Sequence, residues 1–341
     1  AFPSTIREIR FLTTVDRGFR HHPWTLWLGA WVYWLFGRCF TRTPKLHCAR
    51  SIEDAEPLVD TSRSLGGIEY SDAYLHDNDA RFVFNFVRDA MDHGCAAANY
   101  VRCDALAHDA HGRWRVQARD ELTGAALTIG ARVVINATGP CVDDMNGLAD
   151  ISTNYQHVLS KGVHLLVPRL GDGTRVLAFF ADDGRLFFAI PMASCTCIGT
   201  TDTRVDSAEP GVTDVDRDFI LNNINARLNL DAPLTKADII AERCGVRPLA
   251  VAGGDDGDND FLQLSRKHVI ETDSTRRHVS IFGGKLTDCL NVGAEVCEQV
   301  RALGVELTEP EEVWYGEPSE AQWLAFEQRA QAMHLADVRA H

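Results

Sequence analysis

The stretch that most constrains this chain is His278-Val-Ser-Ile-Phe-Gly-Gly-Lys-Leu-Thr287, with the segment that runs on to Val300. Val279, Ile281 and Phe282 read as a buried strand. Gly283 and Gly284 permit a tight turn and close backbone approach. Leu286, Leu290, Val292, Val296 and Val300 then recur at helical spacing, so the run is strand, glycine turn, helix. A helix N-terminus presents unpaired N–H groups and the positive end of its dipole to an electron-rich ligand, and Lys285 adds a full charge. The bland reading is an ordinary strand-to-helix connection. The lysine inside the turn is what points to a site.

A second run, Val133-Val-Ile135, is continuously apolar and predicts a strand buried on both faces. It ends in Asn-Ala-Thr138-Gly139-Pro140, small residues that let a ligand approach. From Gly162 to Thr201 the pattern is all strand and predicts an antiparallel meander. Upstream, Gly66-Gly67 reads as a turn before a strand. Asp77-Asn-Asp79 caps a helix whose apolar stripe is Phe82, Val83, Phe86, Val87, Ala90 and Met91, stopping at Gly94. Strands follow at Val101–His108, Trp114–Ala118 and Leu127–Ile129, the last two joined by a turn at Glu121-Leu-Thr-Gly124. Residues 214–228 and 319–340 have helical spacing, and 250–260 form a loop rich in Gly and Asp. No internal repeat is present.

The 341 residues suffice for two domains or one large one. A net charge of −14 argues against general nucleic-acid binding without excluding a local basic pocket. The ten cysteines are scattered with no CxxC pair, so they read as small reduced hydrophobes. Cys195 and Cys197 share one strand face, but two ligands do not make a metal site, and none is expected. No signal peptide is visible. The most apolar stretch, Trp24–Phe36, falls short of the ~20 residues of a spanning helix. Trp27, Trp31 and Trp34 recur at helical spacing. The default is a buried amphipathic helix; the sharper reading is an interfacial helix, with His21, His22 and Arg38 at headgroup level.

Phe282-Gly-Gly-Lys-Leu-Thr287 resembles the flavin-contacting segment of FAD-dependent glycerol-3-phosphate dehydrogenases, where the glycines and lysine lie under the pyrimidine side of the isoalloxazine. Here the motif continues Asp288-Cys289-Leu290, a departure from that family's Thr-Tyr-Arg. Val134-Ile-Asn-Ala-Thr-Gly-Pro140 resembles the return strand of the FAD domain in the D-amino-acid-oxidase-like superfamily. Lys161-Gly-x-His164, Ile198-Gly-Thr-Thr-Asp202, Gly245-Val-Arg-Pro248 and Ser265-Arg266 also occur in the family's order and at similar spacing. So do Glu69-Tyr-Ser-Asp72 and Asp79-Ala-Arg81. The resemblance runs from about Phe11 to about Leu303.

That resemblance implies an α/β (mixed α+β) fold: an incomplete FAD-binding Rossmann-like domain with an antiparallel-sheet substrate domain. Residues 1–65 would be a tryptophan-rich cap of the substrate domain. Residues 66–145 and 275–305 would be what remains of the FAD domain, 146–274 the substrate domain and 306–341 a helical tail. The implied reaction is oxidation of sn-glycerol 3-phosphate to dihydroxyacetone phosphate, with hydride passing from C2 to the FAD N5 and electrons onward to quinone. His164 would be the base, steered by Asp202. Arg247 and Arg266 would hold the phosphate by their planar, permanently charged forks, or Arg247 the C2 oxygen. Lys285 would stabilise charge on the reduced flavin. Thr138, Gly139, Gly283, Gly284, Lys285, Leu286 and Thr287 would contact FAD. No metal or nucleic acid is expected. A homodimer is a further expectation, as is a cytoplasmic protein resting on the inner face of the membrane through Trp24–Phe36.

A dinucleotide fold opens on strand, Gly-x-Gly-x-x-Gly, helix. That fingerprint is absent from the sequence. The resemblance therefore implies roughly a hundred residues upstream, the length of such a unit. The alternatives are a glycerol-3-phosphate oxidase using oxygen, an amine or 2-hydroxy-acid oxidase of the superfamily, and a flavin-free fragment acting as a binding module.

Overall fold

The computed structural model describes residues 5–75, 78–181, 183–253, 267–308 and 320–333. In chain order the first strands are β1 (Ile6–Asp16), β2 (Lys45–His47), β3 (Ser64–Leu75), β4 (Val101–His108), β5 (Trp114–Asp120), β6 (Ala126–Ala131) and β7 (Val134–Asn136). They continue with β8 (Tyr155–Pro168), β9 (Val176–Phe180), β10 (Leu186–Met192), β11 (Cys195–Gly199), β12 (Thr203–Val205), β13 (Ala241–Ala252), β14 (Val269–Asp273) and β15 (His278–Phe282). The helices are α1 (Pro23–Phe36), α2 (Ala49–Ala55), α3 (Asp79–Asp92), α4 (Val142–Leu148), α5 (Asp214–Asn225), α6 (Cys289–Ala302) and α7 (Glu320–Ala332).

β9, β10 and β11 form the expected antiparallel meander, but β8 joins it beyond β11 and not beside β9, and the sheet is larger than the sequence indicates. β9, β10 and β11 are joined in antiparallel pairs, and β11 returns to β8, which starts earlier, at Tyr155. β1, β3 and β2 extend this sheet on the β9 side, β12 pairs β8 beside β11, and β13 pairs the other edge of β8 to give nine strands. Side chains alternate across a strand. Val163, Leu165 and Val167 of β8 therefore share one face with Leu177, Phe179, Phe187 and Ile198, and Ile220, Leu221 and Ile224 of α5 close over them. Ser160, Gly162 and His164 point from the opposite face.

Lys161 lies on the buried face. Its ammonium meets Asp216 of α5 at 2.6 Å, with the two side chains 6% and 5% exposed. Asp216 also accepts from the Thr213 backbone N–H in a capping box at the start of α5. Burial pushes the Asp216 carboxyl up, but the bonds from Lys161 and Thr213 outweigh it and leave its pKa low. Lys161 and His164, neighbours in the motif, are thus divided between two faces.

Three expectations need correction. Gly66 and Gly67 lie within β3, not in a turn: a Cβ on Gly67 would strike the Thr13 carbonyl and one on Gly66 the His47 carbonyl, where β1 and β2 press in. β7 is not buried on both faces. It pairs in parallel with β15 along one edge, α4 packs beside it, and Ile135 is 44% exposed. α1 is not a buried helix. It lies against β2 and β3, with Trp27, Trp31 and Trp34 in an edge-to-face row. Trp27 Nε1 and Trp34 Nε1 donate to the Pro44 and Thr41 carbonyls. Its other side exposes Trp24, Leu28, Val32 and Leu35, with Phe36 at 85%, and Phe40 just beyond the helix is 91% exposed. Among the described residues no helix is long and apolar enough to cross a membrane.

Removing one partner of a buried ion pair leaves the other charge uncompensated. Asp216→Ala is expected to cost ~3–5 kcal/mol, and the double variant Lys161→Met, Asp216→Leu markedly less than the single. Urea unfolding followed by tryptophan fluorescence would measure both.

Candidate active site

The β8–β13 ladder builds the site. Its register sets His164 opposite Arg243, Gly162 opposite Gly245 and Ser160 opposite Arg247. Directly opposed residues share a face. The outward face of this pair of strands therefore carries an arginine, a glycine pair and a histidine within two rungs. The Arg247 guanidinium folds over Gly162, where a Cβ would sit 2.7 Å from Cζ. Its Nη2 donates to Thr200 Oγ1 at 3.3 Å, and its Nη1 lies 3.8 Å from Asp202 Oδ1. Asp202 also accepts a hydrogen bond from Ser160 Oγ, and its carbonyl accepts from Arg185 Nη1 at 3.2 Å. On the β11 side, Gly199 is opposite His164; a Cβ there would lie 2.9 Å from His164 Cδ2.

Burial, then the charges of Arg247 and Arg243, pull the His164 pKa down to about 4. The imidazole is therefore neutral near pH 7 and can accept a proton. Beside it lies a guanidinium suited to an anion or to a developing oxyanion. The structure thus brings His164, Arg247 and Asp202 together. Arg266 lies outside the described residues. Arg243 and Ser160 lie outside the motifs, and Thr200 and Gly245 lie inside them without an expected role. The signal for Arg243 was its even spacing from Arg247 on one strand.

The glycine turns sit at the ends of two parallel strands. Ser280 of β15 is opposite Asn136 of β7. Gly283-Gly284 and Thr138-Gly139 therefore emerge side by side at carboxyl ends, where open α/β sheets bind ligands. Gly283 and Gly284 have φ of +63° and +99°, and Gly139 has +59°, conformations that glycine adopts without strain. Lys285, Leu286 and Thr287 are exposed. A 3-10 turn over Leu286–Asp288 delays α6 to Cys289, and no side chain caps its N-terminus. Thr138 is held from beneath: its N–H and hydroxyl donate to Asn136 Oδ1, and Asn136 Nδ2 donates to Asn146 Oδ1. His157 Nε2 accepts the Gly283 N–H at 2.9 Å. Burial lowers the His157 pKa and keeps the ring in the neutral form that this bond requires.

Comparison with known proteins places these residues in context. A family model described as FAD dependent oxidoreductase matches residues 41–284. Glycerol-3-phosphate dehydrogenase 2 of Mycobacterium tuberculosis is 32% identical over 288 residues, which is 84% of this chain and 48% of that protein. The mitochondrial glycerol-3-phosphate dehydrogenase of Bos taurus is 32% identical over 272 residues, 76% of this chain and 36% of that one. A crystal structure of the Bacillus halodurans glycerol-3-phosphate dehydrogenase complexed with FAD superposes with a TM-score of 0.70 at 26% identity. It covers 97% of this chain and 59% of that one. The chain spans about half the length of the bacterial relative and about a third of the bovine one.

Arg247→Met is expected to raise the His164 pKa from about 4 while leaving it below the ordinary histidine value, because the burial remains. Gly162→Ala is expected to act in the same direction by displacing the guanidinium. NMR titration of the His164 ring would follow both; a titration unmoved by either variant would mean that Arg247 does not act on the ring.

Proposed function

We propose, for a chain that belongs to the FAD dependent oxidoreductase family, that it is the substrate-oxidising portion of a glycerol-3-phosphate dehydrogenase. The observation that carries this reading is the neutral His164 beside an arginine folded over a glycine on an open sheet face. The enzyme takes sn-glycerol 3-phosphate to dihydroxyacetone phosphate. His164 receives the C2 hydroxyl proton. Arg247, held by Asp202 and Thr200, orients the substrate through its phosphate or its C2 oxygen, and Arg266 adds a further cation to the phosphate.

The residues of the two glycine turns fit a flavin. Among the described residues no heavy atom lies within 4 Å of the Cβ position of Gly139, which leaves room for a ligand there. Lys285 is exposed beside the uncapped start of α6. Thr138, Gly139, Gly283, Gly284, Leu286 and Thr287 would hold the ring, with Lys285 and the α6 N–H groups facing its electron-rich edge. The chemistry that FAD supplies when bound is acceptance of the substrate hydride. No Gly-x-Gly-x-x-Gly is present to cradle the pyrophosphate. Electrons pass on to quinone at the cytoplasmic membrane. The exposed apolar side of α1 supports peripheral contact with that membrane.

Anaerobic glycerol 3-phosphate is expected to bleach the flavin of the full-length protein. His164→Asn should slow that step ~100-fold or more, with substrate affinity changed only a few-fold. Because a general base works deprotonated, the wild-type kcat/KM, which reports the free enzyme, should show no loss from His164 protonation until pH approaches its pKa of about 4. A flavin that ignores glycerol 3-phosphate but is bleached by an amine or a 2-hydroxy acid would replace this reading. Separately, the double variant Leu28→Glu, Phe36→Glu should abolish co-sedimentation with liposomes containing anionic lipid. Wild-type protein that stays in the supernatant would remove the membrane proposal.

A further inference from the structure

The outward face of β13 carries a second arginine besides Arg247. Arg243 is exposed, stands directly across from His164, and shares the outward face with Arg247 two rungs away on the other side of Gly245. Between the arginines the floor is two opposed glycines, Gly162 and Gly245. The Arg247 guanidinium covers Gly162, whereas among the described residues no heavy atom lies within 4 Å of the Cβ position of Gly245. Arg243 and Arg247 thus stand at the two ends of this glycine floor, with His164 directly across from Arg243.

The charges around it are unequal. Arg247 shares its charge with Asp202 at 3.8 Å. Among the described residues Arg243 has no acidic partner: the adjacent Glu242 points to the other face and is bound by Arg217 Nη2 at 2.9 Å. An exposed arginine facing a partly buried neutral histidine works against any proton on that ring, and the Arg243 charge does act on His164. A phosphate monoester brings about −1.5 to −2 charges at pH 7. Arg247, already shared with a carboxylate, does not balance that by itself, and Arg243 would join Arg266 in doing so.

We propose that Arg243 is a phosphate-binding residue for the substrate, and that the phosphate is received over the glycine floor between Arg243 and Arg247. This rests on the glycerol 3-phosphate reading and assigns to it a cation outside the motifs. It also has a consequence for the base: a dianion seated between the two arginines offsets their field at His164, so the ring binds its proton more readily when the site is filled.

The test uses the full-length, flavin-loaded protein with inorganic phosphate and glycerol 3-phosphate as probes. In Arg243→Gln the dissociation constant of phosphate and the KM for glycerol 3-phosphate are expected to rise tenfold or more, with kcat within threefold, and Arg243→Lys should restore part of the loss. Phosphate should raise the His164 pKa in the wild type, by NMR titration, and much less in R243Q. Phosphate affinity equal in wild type and R243Q overturns the proposal. So does an equal loss in Arg119→Gln, an exposed arginine of β5, which would mark a general charge effect. Wild-type protein that never oxidises glycerol 3-phosphate overturns the substrate reading, and the phosphate titration then decides Arg243 by itself.

Discussion

Everything at this site depends on the register of the ladder between β8 and β13. The pairing runs unbroken from Tyr155 opposite Ala252 to Leu166 opposite Ala241. Because side chains alternate, a slip of one residue would carry His164 into the core and Lys161 out of it. The buried face resists that slip. Val163, Leu165 and Val167 are fully enclosed there, and the Lys161–Asp216 ion pair is closed at 2.6 Å on the same face. The packed core on one side of the sheet thus fixes the placement of the polar groups on the other.

The same strands tie the two halves of the site. β8 carries His157, which receives the N–H of the first glycine of the turn, and further along it carries Ser160 and His164. Both histidines are held neutral by burial, and at His164 by the neighbouring arginines as well. Neutrality serves each differently. At His157 it preserves an acceptor for a backbone donor, which positions the turn. At His164 it leaves a lone pair free to take a proton. Beneath Thr138, the Asn136–Asn146 bond and the Ser280 hydroxyl, which also donates to Asn146, make a buried, hydrogen-bonded support for the second turn.

Family membership accords with this arrangement without supplying it. The Bacillus halodurans structure shares the fold across nearly the whole of this chain. Arg243, however, was recognised by its partner across the ladder and not by any motif. The chain's own geometry therefore adds to what similarity carries over.

By itself the sequence determined the local features: period-2 strands from Gly162 to Thr201, the helix capped at Asn78, and glycines where the backbone turns left-handed at Gly283 and Gly284. These follow from sterics and spacing within a few residues. The ordered motifs likewise located His164, Arg247 and Asp202. Only the tertiary structure decided that Lys161 and His164 serve opposite faces, that Gly66 and Gly67 make room for neighbouring strands, that Ile135 is left exposed, and that α1 packs on one side only. It also decided that Arg243 faces His164. Each of these depends on which strand edge or helix arrives from far along the chain, and periodicity records a face without naming what will cover it.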